Sequence, residues 1–189
     1  MRRSALGAGI LLLGACLCGA GSADFELRQD SAPSLPEYVI KAGFIFNFAK
    51  YVEWPSSAFE TAATPISVGI VGADPFGEEI DKALGSKMVK DRHFVVLRFR
   101  DKRDLRPCHI LFIPRSEKAL LPEILKQVES WAVLTVGEDE AFAKTGGAVN
   151  ILIEKEKPRL EVNPEAAEKA RLTINSKLLK LATIVKTEK

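Results

Sequence analysis

Cysteine is scarce in this sequence, and so is any excess of charge. Three cysteines occur in 189 residues, and two of them, Cys16 and Cys18, lie near the start of the chain. If the chain is cut after Ala23, Cys108 is the cysteine that remains. An intramolecular disulfide is then excluded, even in an oxidising compartment. Lys and Arg number 27 against 25 Asp and Glu, and Arg2 and Arg3 account for the difference. The remaining chain is neutral. A neutral domain has no general attraction for nucleic acid or anionic lipid, so neither is expected as a partner. Histidine is also rare: His93 stands at the start of an apolar run and His109 inside another. Neither has a partner at metal-ligand spacing. No serine sits in a nucleophile elbow, and no Lys-Ser/Thr completes a phosphate loop. These absences predict a protein that is not an enzyme, with no catalytic residues, metal or cofactor. There are no internal repeats and no low-complexity tracts.

What is present begins with an address. Arg2 and Arg3 are followed by an apolar stretch from Ala5 to Ala15, then by Gly21-Ser22-Ala23 before Asp24. This order is that of a cleavable export signal, and the apolar run is short for a membrane span. Residues 1–23 are therefore expected to be a signal peptide. Leu13-Gly14-Ala15-Cys16 also fits a bacterial lipobox, in which Cys16 would carry a lipid anchor. Both routes place the body outside the cytoplasm. Residues 24–36 are polar, with Pro33 and Pro36, and are assigned as a linker; residues 37–189 are assigned as a single α/β domain.

Beyond the linker, helical and extended patterns alternate. A helix is predicted from about Pro36 to Val52. Apolar, β-branched runs at 66–72, 93–99, 108–113, 131–137 and 148–154 read as strands buried on both faces. Helices are expected at 74–85, with Asp74 as N-cap, and at 122–130, 139–147, 165–172 and 176–186. Residues 159–163 can return as a hairpin, since 155–158 is too short for a crossover. The fold class is α/β: a three-layer domain with a mostly parallel sheet of about five strands, helices on both faces and an antiparallel edge.

Two sets of residues are candidates for function. Ligands of open parallel sheets bind outside the carboxyl ends of the strands. The loops 71–77, 113–117 and 135–138 would share that edge, where Asp74, Ser116, Glu117 and Glu138 rim a crevice near Arg115. The 71–77 loop also has the look of a phosphate cradle, but Gly72 and Gly77 match neither a P-loop nor a dinucleotide fingerprint, and the loop reads first as an ordinary strand-to-helix turn. The second set is apolar. On a helical wheel Phe44, Ile45, Phe48, Ala49 and Val52 fall on one side of the first helix, with Ile40 and Tyr51 at its margin. Phe46 falls on the other side, beside Lys50 and Glu53. In the last predicted helix Ile184 sits between Lys177 and Lys180. Apolar residues on a charged face mark either two-sided packing or a contact surface, so Phe46, Lys50, Lys180 and Ile184 are the candidate partner-binding residues. Cys108 and His109 open a buried strand and read as packed core residues.

Five segments in order, "KAGFIFNFAKYVEWP", "VGIVGADPFG", "CHILFIPRSE", "LTVGEDEAFAKTGGAVNILIE" and "RLEVNPEAAEKARLTINSKLLKLA", resemble the YfiR family of bacterial periplasmic proteins over residues 38–182. The resemblance implies a periplasmic α/β domain that tends to form a homodimer. It implies a regulatory binding protein that holds an inner-membrane diguanylate cyclase inactive, thereby lowering cyclic-di-GMP and biofilm formation. The family is broad, so the resemblance leaves open another membrane receptor, such as a sensor kinase. It further implies an outer-membrane lipoprotein that relieves inhibition by sequestering the repressor. The paired cysteines of the best-known members are missing, so redox control through an internal bridge is not expected. The alternative reading is a periplasmic small-molecule sensor using the crevice at the strand ends.

Overall fold

The computed structural model describes residues 35–155 and 157–188. The predicted signal peptide, Cys16 and nearly all of the linker lie outside them. In chain order the elements are α1 (Leu35–Tyr51), β1 (Val52–Glu53), β2 (Ile66–Val71), α2 (Glu79–Leu84), β3 (Met88–Val89), β4 (Arg92–Phe99), β5 (Ile110–Ile113), α3 (Leu121–Val128), β6 (Leu134–Gly137), β7 (Val149–Glu154), β8 (Lys157–Val162), α4 (Pro164–Lys169), β9 (Thr173–Ile174), α5 (Ser176–Leu179) and β10 (Thr183–Ile184).

Among the described residues, an eight-stranded sheet runs β10-β8-β7-β6-β5-β2-β4-β3, and β1 and β9 form a separate antiparallel pair. Strands β4, β2, β5, β6 and β7 are mutually parallel. Their composition explains it: Ile66–Val71 and Ile110–Ile113 are buried on nearly every residue, so both faces must be covered. Helices α1, α2, α4 and α5 cover one face through a core that includes Phe48, Ile80, Phe112, Ala167 and Leu178. Helix α3 covers the other through Leu121, Ile124 and Val128, against Val71, Phe99 and Leu111. The fold class is as predicted. Antiparallel strands close both ends, with β8 on β7 and β3 on β4. The β3–β4 hairpin turns on Lys90 and Asp91, at φ 50° and 62°, the left-handed pair that a two-residue turn between twisted strands requires.

From β2 the chain steps to β4 on one side and then crosses to β5 on the other. Counted from β2, the parallel strands follow the 2-1-3-4-5 order of flavodoxin-like folds, which puts the topological switch between β2 and β5.

Three predicted helices are corrected. The Asp74 carboxylate accepts from Phe76 N at 2.8 Å and Gly77 takes φ 54°, so residues 74–77 turn tightly and α2 begins only at Glu79. Residues 139–147 are turns: the Phe142 ring tucks against Gly137 and Gly147, where a β-carbon would collide with it. The last helix stops at Leu179. Thr183 and Ile184 pair with Glu161 and Val162 of β8 instead, consistent with their β-branched side chains.

Candidate functional site

The three loops expected to share an edge do share it, because β2, β5 and β6 are adjacent and parallel. That edge is not an open crevice. The first turns of α1 lie over it, and a ladder of rings fills the switch point: Tyr38 packs edge-on to Phe76 at 5.2 Å, and Phe76 to Phe112 at 4.7 Å.

Glu138, predicted to stand at the rim, is buried. Its Oε1 accepts from Arg115 N at 2.8 Å and from Tyr38 Oη at 3.3 Å, and its Oε2 takes the Lys41 ammonium. Lys41 is 1% exposed, and its Nζ also reaches Glu37 Oε1 at 2.5 Å. A buried charge persists only when paired and hydrogen-bonded, and here each is. Burial, together with the Glu138 and Glu37 carboxylates, pushes the Tyr38 phenol well above its ordinary value. Tyr38 therefore acts as a hydrogen-bond donor across the physiological range.

The other predicted rim residues separate. Arg115 stays at this edge, its Nη2 on Glu138 O at 3.2 Å. Asp74 turns away to Arg98 of β4, whose Nε lies 2.7 Å from it and whose Nη2 reaches Asp81 at 2.5 Å. Glu117 lies over Gly72, which at φ 76° has no β-carbon to exclude it, and Ser116 is exposed beside it. Sequence reasoning missed Lys41, Tyr38 and Glu37. A signal was available: Tyr38, Lys41, Ile45, Phe48 and Val52 recur at helical spacing, so the lysine stands on the buried stripe.

The partner-binding candidates fall into two groups. Phe46 is half-buried, its ring 5.9 Å from Phe94 of β4, with Lys87 Nζ at 4.5 Å and exposed Lys50 Nζ at 5.6 Å from the ring centroid. It is neither free nor core. Ile184, 51% exposed, and Lys180 stand by β10 at the far end of the sheet. Six strand steps separate β10 from β4, a span of about 29 Å at ~4.8 Å per strand. One compact contact cannot include both groups.

At the opposite edge of the strands, His109 Nδ1 accepts from Ser67 N at 3.0 Å, which leaves the proton on Nε2 to donate to Ala58 O at 3.1 Å. The imidazole is neutral, stacked on Phe59 at 4.5 Å, and burial lowers its pKa. Burial pushes the Cys108 thiol up to about 12. A cavity of about 300 Å³ lies between α3, β6 and α4, lined in part by Leu125, Thr135, Thr145 and Ala170. It contains none of the predicted ligand-binding residues.

A family model described as YfiR/HmsC-like matches residues 38–183. No curated protein matches the chain. Among solved structures, a conserved domain protein from Vibrio cholerae O1 biovar El Tor is similar at a TM-score of 0.55 and 12% identity, covering 80% of this chain and 60% of that one. The ABC domain in complex with L-Trp from Streptococcus pneumonia is similar at a TM-score of 0.46 and 11% identity, covering 63% and 55%. At such identities the Vibrio likeness shows the fold alone, and this chain spans about 60% of that relative's length.

Proposed function

The chain belongs to the YfiR/HmsC-like family, and from that premise we propose that it restrains a membrane-bound diguanylate cyclase by binding it from the periplasm. The family is one of periplasmic regulators rather than enzymes. In this reading the chain is exported, cut after Ala23, and lowers cyclic-di-GMP and biofilm formation. An outer-membrane lipoprotein releases the cyclase by taking up the repressor. The observation that carries the reading is the family match across residues 38–183.

The separation of the two apolar groups supports two surfaces. Phe46 and Lys50, beside β4, meet the membrane partner. Lys180 and Ile184, beside β10, meet a second copy of this chain. The sensor reading gains no support at the strand ends, because Tyr38 and Lys41 fill the place a ligand would take there.

The test is to express the mature chain in the periplasm of cells carrying a membrane-bound diguanylate cyclase with a periplasmic sensor region, and to measure cyclic-di-GMP. A fall of several-fold is expected, reversed by the lipoprotein. Unchanged cyclic-di-GMP with the protein folded and correctly located would overturn the proposal.

A further inference from the structure

The large apolar side chains exposed among the described residues fall in three places: Val39 and Ile40 on α1, Leu181 and Ile184 at the β10 end, and Met88 and Val95 at the β3–β4 end. The two ends of the sheet are protected differently. At the first, the outer strand β8 begins Lys157-Pro158-Arg159, charges and a proline that discourage strand addition, and β10 covers its remainder. At the second, β3 pairs only with Arg92 and His93 of β4. Beyond His93, no strand among the described residues lies on the outer side of β4.

Gly72 N donates to Phe99 O at 2.9 Å, so the backbone groups of Phe99, Leu97 and Val95 face β2. By strand alternation, those of Phe94, Val96 and Arg98 face the open side. The open stretch, Phe94-Val95-Val96-Leu97-Arg98-Phe99, is aromatic and β-branched and contains no proline. A row of unpaired backbone groups on such a strand is a template for another strand.

Charge selects the occupant. Residues 87–106 contain eight Lys or Arg and three Asp. Arg98, Lys102 and Arg103 are ion-paired within the chain, whereas Lys87, Lys90, Arg92, Arg100 and Arg106 form no ion pair among the described residues. A second copy fits poorly. Antiparallel self-pairing of residues 94–98 centred on Val96 would carry Arg98 and Arg100 of each copy toward the Lys90 and Arg92 end of the other, gathering like charge at both ends of the contact.

We propose that the open edge of β4 is a docking site for an extended acidic segment of a partner protein, which adds as a further strand beside residues 94–98. The proposal rests on the regulatory reading only for who the partner is. It adds the surface and the chemistry of what docks, next to the Phe46–Phe94 cluster.

The mature chain is titrated with an acetylated, amidated octapeptide of alternating valine and glutamate, and amide hydrogen exchange is followed by NMR. Exchange of the Val96 and Arg98 amides should slow tenfold or more at millimolar peptide. A valine–lysine peptide, or the glutamate peptide methylated on alternate backbone nitrogens, should leave it unchanged. Val96→Pro removes an open-side donor without touching the β2 ladder and should abolish the effect. In case that variant fails to fold, Lys90→Glu with Arg100→Glu should weaken the glutamate peptide at least fivefold. Equal protection by both peptides, or none by the glutamate peptide, overturns the proposal. Protection that appears without peptide as concentration rises, with dimers in sedimentation, also overturns it by assigning the edge to a second copy. The two readings fail separately. Docking without control of any cyclase sinks the regulatory reading, and cyclase control that survives Lys90→Glu/Arg100→Glu sinks this one.

Discussion

Replacing Lys41 with Met tests the buried network most directly. Methionine keeps most of the lysine stem's volume and apolar contact, so little cavity is left. What changes is the partner of Glu138, a carboxylate whose side chain is 4% exposed. Tyr38 Oη and Arg115 N still donate to it, but its counter-ion is gone. Breaking a buried ion pair by removing one member typically costs about 3–5 kcal/mol, mostly for the stranded charge. Against a total stability of about 5–15 kcal/mol, that is a large fraction. Adding Glu138→Gln removes the stranded charge and keeps an acceptor for both donors. The double variant should therefore return to within about 1–2 kcal/mol of the unmodified protein. Urea unfolding of the mature chain, the single variants and the double variant gives the cycle. A loss below about 1 kcal/mol for Lys41→Met would refute the reasoning, because the pair would then behave as a screened surface pair. So would a double variant no more stable than the single one.

Phe46→Ser should lower stability by about 1–2 kcal/mol, through lost packing on Phe94, and also weaken repression of the cyclase; Ile184→Ser should hardly change stability but weaken self-association in sedimentation. Lying at opposite ends of the sheet, the two should be additive in stability within about 0.5 kcal/mol, and a larger coupling would contradict their separation. Cys108 is held as a thiol up to about 12, against an ordinary value of 9.0. Its contribution is therefore full below pH 9.0 and fades as pH rises toward 12, so the stability gap between the unmodified protein and Cys108→Ala should narrow over that window; iodoacetamide at pH 8 should label Cys108 only on unfolding. Burial lowers the His109 pKa below 6.5, so the neutral ring's contribution is present above pH 6.5 and lost as pH falls through the folded value. His109→Asn should flatten the stability–pH curve below pH 6.5, and an unchanged slope would show that the acid sensitivity lies elsewhere.

The amino-acid sequence by itself determined the layered α/β architecture. Runs such as Ile66–Val71 and Ile110–Ile113 are apolar on both faces, and only a sheet covered on both sides can bury them. It determined the hairpin of β7 and β8, because the connection is too short for anything else. The ordered segments also made the family legible before any geometry was known. Where the helices ended was decided in three dimensions. Asp74 is committed to its own turn and to Arg98, and Thr183–Ile184 to β8, by groups far away in the chain. The fate of the strand-end acids was decided there too. A glutamate after a strand reads as solvated, and only the packing of α1 brings Lys41, 97 residues away in sequence, into its shell. Likewise, Phe46 and Ile184 look equivalent as stray apolar residues on charged faces. Their separation to opposite ends of the sheet follows from strand order, which is set by long-range pairing rather than by any local pattern.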